Sequence, residues 1–128
     1  MALKHKKTDC ITTVAPDGYV RLYHGTRSQM IDSIIEFGVD EGRAKACGGG
    51  DGFCAAKDYE MAKWYSARPG EPGLRAVLAF DLAIESVERL LHEEKLVDHY
   101  FHGFLEFFPP SYPVLNAEMT NIEITITA

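Results

Sequence analysis

The sequence predicts an α+β fold, and three observations carry that reading. Its 128 residues suit one domain with a hydrophobic core of its own, needing neither disulfides nor a metal to hold it. Runs that alternate every two residues are mingled with runs at helical spacing rather than segregated from them. Clusters of glycine and proline punctuate the chain between those runs. No internal repeat or low-complexity tract interrupts this pattern. The expected division is a polar N-terminal segment, residues 1–17, and a single domain, residues 18–128.

The elements follow in order. Pro16-Asp17-Gly18 is a turn signal that launches a strand through Tyr19-Val20-Arg21-Leu22-Tyr23, which ends in His24-Gly25-Thr26. Val20, Leu22 and His24 share a face, so the histidine points inward or into a cleft and must find partners there. From Ser28, read as an N-cap, to Phe37, Met30, Ile31, Ile34 and Ile35 repeat at helical spacing, and Gly38 supplies the stop. The glycine-rich stretch from Gly42 to Gly52 reads as a loop. Phe53 to Ala56 reads as a short buried strand, and Asp58 caps a helix with Met61, Ala62 and Tyr65 on one face. Arg68 to Gly73 breaks the chain again.

Leu74 to Leu82 is nearly continuous in apolar residues, as in a strand covered on both faces. Ala83 to Leu91 and Lys95 to Phe108 both show helical periodicity, the second through Val97, Tyr100, Phe101, Phe104, Leu105 and Phe108, with Pro109 and Pro110 as its end. Val114 to Met119 and Asn121 to Thr127 read as a closing pair of strands, the latter alternating Ile122, Ile124 and Ile126 with polar neighbours.

Charge narrows the partners. A net charge of −6 opposes broad adhesion to nucleic acid or anionic membrane, because counterion release needs clustered Lys and Arg. The one basic cluster, Lys4, His5, Lys6 and Lys7, falls where a solvated, poorly ordered terminus is expected. Cys10, Cys47 and Cys54 are an odd number in a chain that needs no staples, so reduced thiols and a cytoplasmic location are expected. No run approaches the roughly 18 apolar residues of a membrane span, and Met1 to Thr13 is too polar for a secretory signal.

Four pieces carry chemistry: His24-Gly25-Thr26, the glycines leading to Phe53, the helix face with Tyr65, and Glu118 near the C-terminus. Each has a plain structural reading as well: a satisfied core histidine, a flexible connection, a core tyrosine, an exposed strand carboxylate. Together, in this order, they resemble the ADP-ribosyltransferase superfamily, in the His-Tyr-Glu branch that includes the poly(ADP-ribose) polymerases and the diphtheria-like toxins. In that branch a strand ends in His-Gly-Thr, a Gly-x-Gly-aromatic segment enters a short strand, and a helix ends in tyrosine. Here these are Leu22 to Thr26, Gly50-Asp51-Gly52-Phe53, and Ala62-Lys63-Trp64-Tyr65, with Tyr65 eleven positions after Cys54. Cys54 stands where polymerases often carry a first tyrosine. Asn116-Ala117-Glu118-Met119 resembles the strand that bears the third signature residue, with Glu106 and Glu123 nearby.

The resemblance implies a compact split β-sandwich of two small sheets with flanking helices, and NAD as co-substrate with no metal. It assigns His24 to the adenosine ribose, the Gly25 backbone to the nicotinamide carboxamide, and Thr26 to supporting that clamp. Tyr65 stacks on the nicotinamide, Phe53 lines the same pocket, Asn116 orients the carboxylate or touches the ribose, and Glu118 stabilises the positive charge that develops on the sugar. The implied activity is transfer of a single ADP-ribose to a protein or nucleic-acid acceptor. In a bacterial toxin or effector role, delivered into a target cell, an inhibitory immunity-type protein is the implied partner. The alternatives are an NAD glycohydrolase, an RNA 2′-phosphotransferase, and a catalytically inactive module that binds NAD or ADP-ribose. A zinc site built from Cys47, Cys54 and His99 or His102 has weak spacing, and those two histidines read as a solvated helix face.

Overall fold

A computed structural model describes residues 3–8, 11, 14–40, 52–67 and 73–127. The strands are β1 (His5–Lys7), β2 (Tyr19–Arg27), β3 (Phe53–Ala56), β4 (Arg75–Ala83), β5 (Leu96–His99), β6 (Phe104–Phe107) and β7 (Thr120–Thr127). The helices are α1 (Ser28–Phe37), α2 (Tyr59–Tyr65), α3 (Ile84–His92) and α4 (Tyr112–Glu118), with 3-10 turns at Tyr100–His102 and Pro109–Ser111. The architecture is mixed, with one seven-stranded sheet in the order β1-β7-β4-β2-β3-β6-β5 where two small sheets were expected.

That sheet is stitched unevenly. β2 and β4 pair along nine residues, from Tyr19↔Ala83 to Arg27↔Arg75. By contrast, β2 meets β3 at a single pair, Tyr23↔Ala56. Past that point no ladder joins the two strands among the described residues, and β2 runs on through His24 to Arg27 while β3 runs back toward Phe53.

Two cores cover the two faces. Leu22, Phe53, Leu78, Phe80 and Phe107 face α1, α3 and α4 in the larger one. Ala56, Ala62, Val77 and Ala79 form the smaller one beneath α2. Residues Ala76 through Leu82 of β4 are all buried, as the unbroken apolar run predicts. On the α2 face β4 also carries Asp81, which is fully buried against Arg21 Nη1 at 2.8 Å, while Arg21 Nη2 reaches Glu123 Oε1 at 2.5 Å. The polar side of β7 is therefore covered: Glu123 meets Arg21, and Thr125 donates to the Thr8 carbonyl.

Several expectations change. The stretch read as one helix over Lys95–Phe108 is the hairpin β5–β6, reversed at Gly103, whose φ of 77° is left-handed. Its aromatic spacing satisfies a helix, but Phe104–Phe107 alternates half-buried and buried positions as a strand does. The stretch read as a strand over Val114–Met119 is α4. Its buried residues Tyr112 and Leu115, with Met119 just past its end, fall at helical spacing, and Pro113 sits in its first turn, where no N–H is needed. Ser28 is the first residue of α1 rather than its cap, and its hydroxyl accepts from Leu74 N at 3.1 Å. The basic terminus is β1, paired in parallel with β7. Cys54 is disulfide-bonded, against the expectation of reduced thiols. Cys10 and Cys47, like the stretches 41–51 and 68–72 expected as loop and break, lie outside the described residues.

Candidate functional site

Past Tyr23↔Ala56 the end of β2 and the start of β3 share no ladder among the described residues, and His24 bridges them. Its Nδ1 lies 2.6 Å from the Cys54 carbonyl oxygen, a bond in which the ring donates because a carbonyl only accepts. The imidazole stacks on Phe53 with ring centroids 4.2 Å apart and planes 25° apart. Phe53 is itself fixed in the larger core between Phe80 and Phe107. Thus a side chain locks two strands whose backbones have parted.

On the other side of Cys54 stands Glu106, its ladder partner on β6. Glu106 Oε1 accepts from His99 Nε2 at 2.8 Å. The His99 ring lies 4.6 Å from that of Phe104, and Phe104 meets the edge of Tyr65 at 6.0 Å. Gly52 makes room for the carboxylate, since a Cβ there would come 2.6 Å from Glu106 Cγ and 2.9 Å from Oε2.

Three local devices place Tyr65. Asp58 caps the start of α2 by accepting from Met61 N at 2.8 Å. At its end, Arg75 Nη2 donates to the Lys63 carbonyl at 3.0 Å, which satisfies an orphan helix carbonyl with a cation. In between, Gly25 admits the helix: a Cβ there would lie 2.7 Å from the Ala62 carbonyl carbon and 3.1 Å from Ser66 N. The bare backbone expected of Gly25 for a ligand is already required by this crossing. Thr26, one residue on, is buried in β2.

The residues singled out near the C-terminus sit elsewhere. Glu118 ends α4 rather than occupying a strand. Its carboxylate accepts from Ser86 Oγ of α3 and lies 3.5 Å from Arg89 Nη2. Asn116 uses its whole amide on Val39, accepting from its N–H at 2.7 Å and donating to its C=O at 2.9 Å, so it ties α4 to the end of α1. His24, Phe53 and Tyr65 thus converge on β3 and β6, whereas Asn116 and Glu118 do not. Glu106 and His99 are the residues that the helical reading of Lys95–Phe108 displaced. Gly103 was the signal for them, because a glycine between Phe101 and Phe104 reverses a hairpin more readily than it continues a helix.

No family model, curated protein or solved structure matches this chain. Among the described residues, no group of three or more His, Cys, Asp or Glu side chains is placed to hold a metal ion. Nor is any helix there long and apolar enough to cross a membrane.

Proposed function

We propose that the protein cleaves NAD at the nicotinamide–ribose bond and transfers ADP-ribose to a protein or nucleic-acid acceptor, with Glu106 in the role first given to Glu118. The observation that supports this is the parting of β2 and β3 after a single pair, with His24 on one side of Cys54 and a carboxylate on the other. By alternation His24 lies with Leu22 on the larger-core face and Glu106 with Cys54 on the α2 face. A ligand held between the end of β2 and the start of β3 would reach both.

The groups present suit that substrate. His24 offers a ring already oriented by Phe53 and by the Cys54 carbonyl. Tyr65 offers a half-buried aromatic face for the nicotinamide. Glu106 Oε2 has no hydrogen-bond partner among the described residues. In the reaction the C1′–N bond breaks with its electron pair leaving on nicotinamide, and the ribose takes up positive charge. A carboxylate beside the sugar stabilises that charge, and the acceptor then adds at C1′ with loss of its proton.

Nicotinamide release from NAD tests this. Wild type should release it, Glu106→Gln should lower kcat by about 100-fold or more, and His24→Ala should raise KM. Glu118→Ala should behave as wild type. The reverse pattern, full activity in Glu106→Gln and loss in Glu118→Ala, would return the carboxylate role to Glu118. Mass spectrometry of a lysate incubated with labelled NAD separates a transferase, which leaves a discrete modified species, from a glycohydrolase, which leaves free ADP-ribose.

A further inference from the structure

We propose that His99 is the positioning residue for Glu106, holding one carboxylate oxygen so that the other stands over Gly52 at the start of β3; this rests on the NAD-cleaving reading above. An ionised carboxylate only accepts hydrogen bonds, so the 2.8 Å contact requires the proton on His99 Nε2. The side chains are partly enclosed, 13% exposed for Glu106 and 32% for His99, so the bond competes with little water at its carboxylate end. Phe104 fixes the plane of the imidazole at 4.6 Å. Glu106 therefore cannot rotate about its last bond without losing His99. Its Oε2 stands over Gly52, where a side chain would intrude within 2.9 Å.

The pairing also follows from register. Val97 opposes Glu106 and His99 opposes Phe104, so His99, Phe104 and Glu106 share the face of the hairpin that Tyr65 approaches. Other groups near this face among the described residues are few. Lys57 pairs with Asp98 at 2.8 Å and lies over the Tyr100 ring, while His102 lies 6.2 Å from the Phe104 ring. Lys57 and Asp98 offset one another, which leaves His99 as the polar partner of Glu106 on this face.

The test uses the full chain. His99→Ala should lower kcat for NAD on the order of 10- to 100-fold, as expected when a reacting group loses its orientation, with KM within about twofold of wild type. His99→Gln keeps an N–H donor and should recover most of kcat. Wild-type kcat in His99→Ala would overturn the proposal, as would a His99→Gln variant no more active than His99→Ala. A second measurement does not depend on turnover: imidazole nitrogen NMR should show the Nε2–H tautomer for His99 in wild type and its loss in Glu106→Ala. Persistence of that preference would overturn the pairing. If Glu106→Gln cripples the enzyme while His99 variants do not, only the His99 assignment falls. If Glu106→Gln and His24→Ala both match wild type, the NAD reading itself falls and the positioning role with it.

Discussion

Gly25→Ala separates a packing glycine from a ligand-binding one. The new Cβ would stand 2.7 Å from the Ala62 carbonyl carbon, and closer still to its oxygen. Carbon atoms in contact prefer about 3.5 to 4.0 Å, so α2 must lift by about 1 Å or β2 must yield as much. Both sides of the clash are backbone, so no rotamer change relieves it. Overpacking of this kind costs about 3 kcal/mol, and alanine in a strand returns about 0.5 to 1 kcal/mol through reduced chain entropy. The net loss is about 2 kcal/mol, which for a domain of this size lowers the melting temperature by about 7 °C. Thermal unfolding followed by circular dichroism reads it directly, with or without NAD. A melting temperature within about 2 °C of wild type, combined with lost NAD binding, would refute the packing argument and return Gly25 to the ligand.

The remaining predictions follow the same logic. Arg21→Met leaves Asp81 and Glu123 buried without their cation and should cost about 3 to 5 kcal/mol in urea unfolding; a loss below about 1 kcal/mol would show that the carboxylates find other partners. Asn116→Ala removes both bonds to Val39 and should destabilise by about 1 to 3 kcal/mol, with KM for NAD unchanged; a raised KM would place Asn116 at the ligand after all. Burial, opposed in part by Arg21, raises the Tyr23 phenol above its ordinary value of 10.0. The folded state thus disfavours the ionised form, so the stability Tyr23 contributes is whole below pH 10 and lost as pH rises through the raised value. Tyr23→Phe should flatten the alkaline decline in stability, and parallel curves for the two proteins would contradict this.

The first half of the chain was largely legible because its signals are local. Gly18 and Gly38 take the left-handed φ values of 83° and 80° that a turn and a helix stop require, and Asp58 caps α2 as its position before the helix suggests. The run over β4 named a central strand without naming its neighbours. The second half misled because short elements leave little periodicity to measure. Four residues of β5 and four of β6 joined by a 3-10 turn produce aromatic spacings that also fit a helix. In the same way, seven residues of α4 opened by Pro113 resemble a strand if the proline is taken only as a breaker. Glu118, expected on a strand, ends α4, and Glu106, expected on a helix, lies on β6. Asn116 shows a different limit, since nothing local in its sequence announces a partner at Val39.

The single pair Tyr23↔Ala56 has a mechanical meaning. A ladder of many hydrogen bonds resists sliding because every bond must break at once, whereas a seam with one bridge transmits force mainly through the oily contacts of Phe53, Leu105 and Phe107. Such contacts are non-directional and tolerate small displacements at little cost. The β3–β6–β5 half is therefore tied to β2 by that one pair, by the His24 bond to the Cys54 carbonyl and by its share of the larger core.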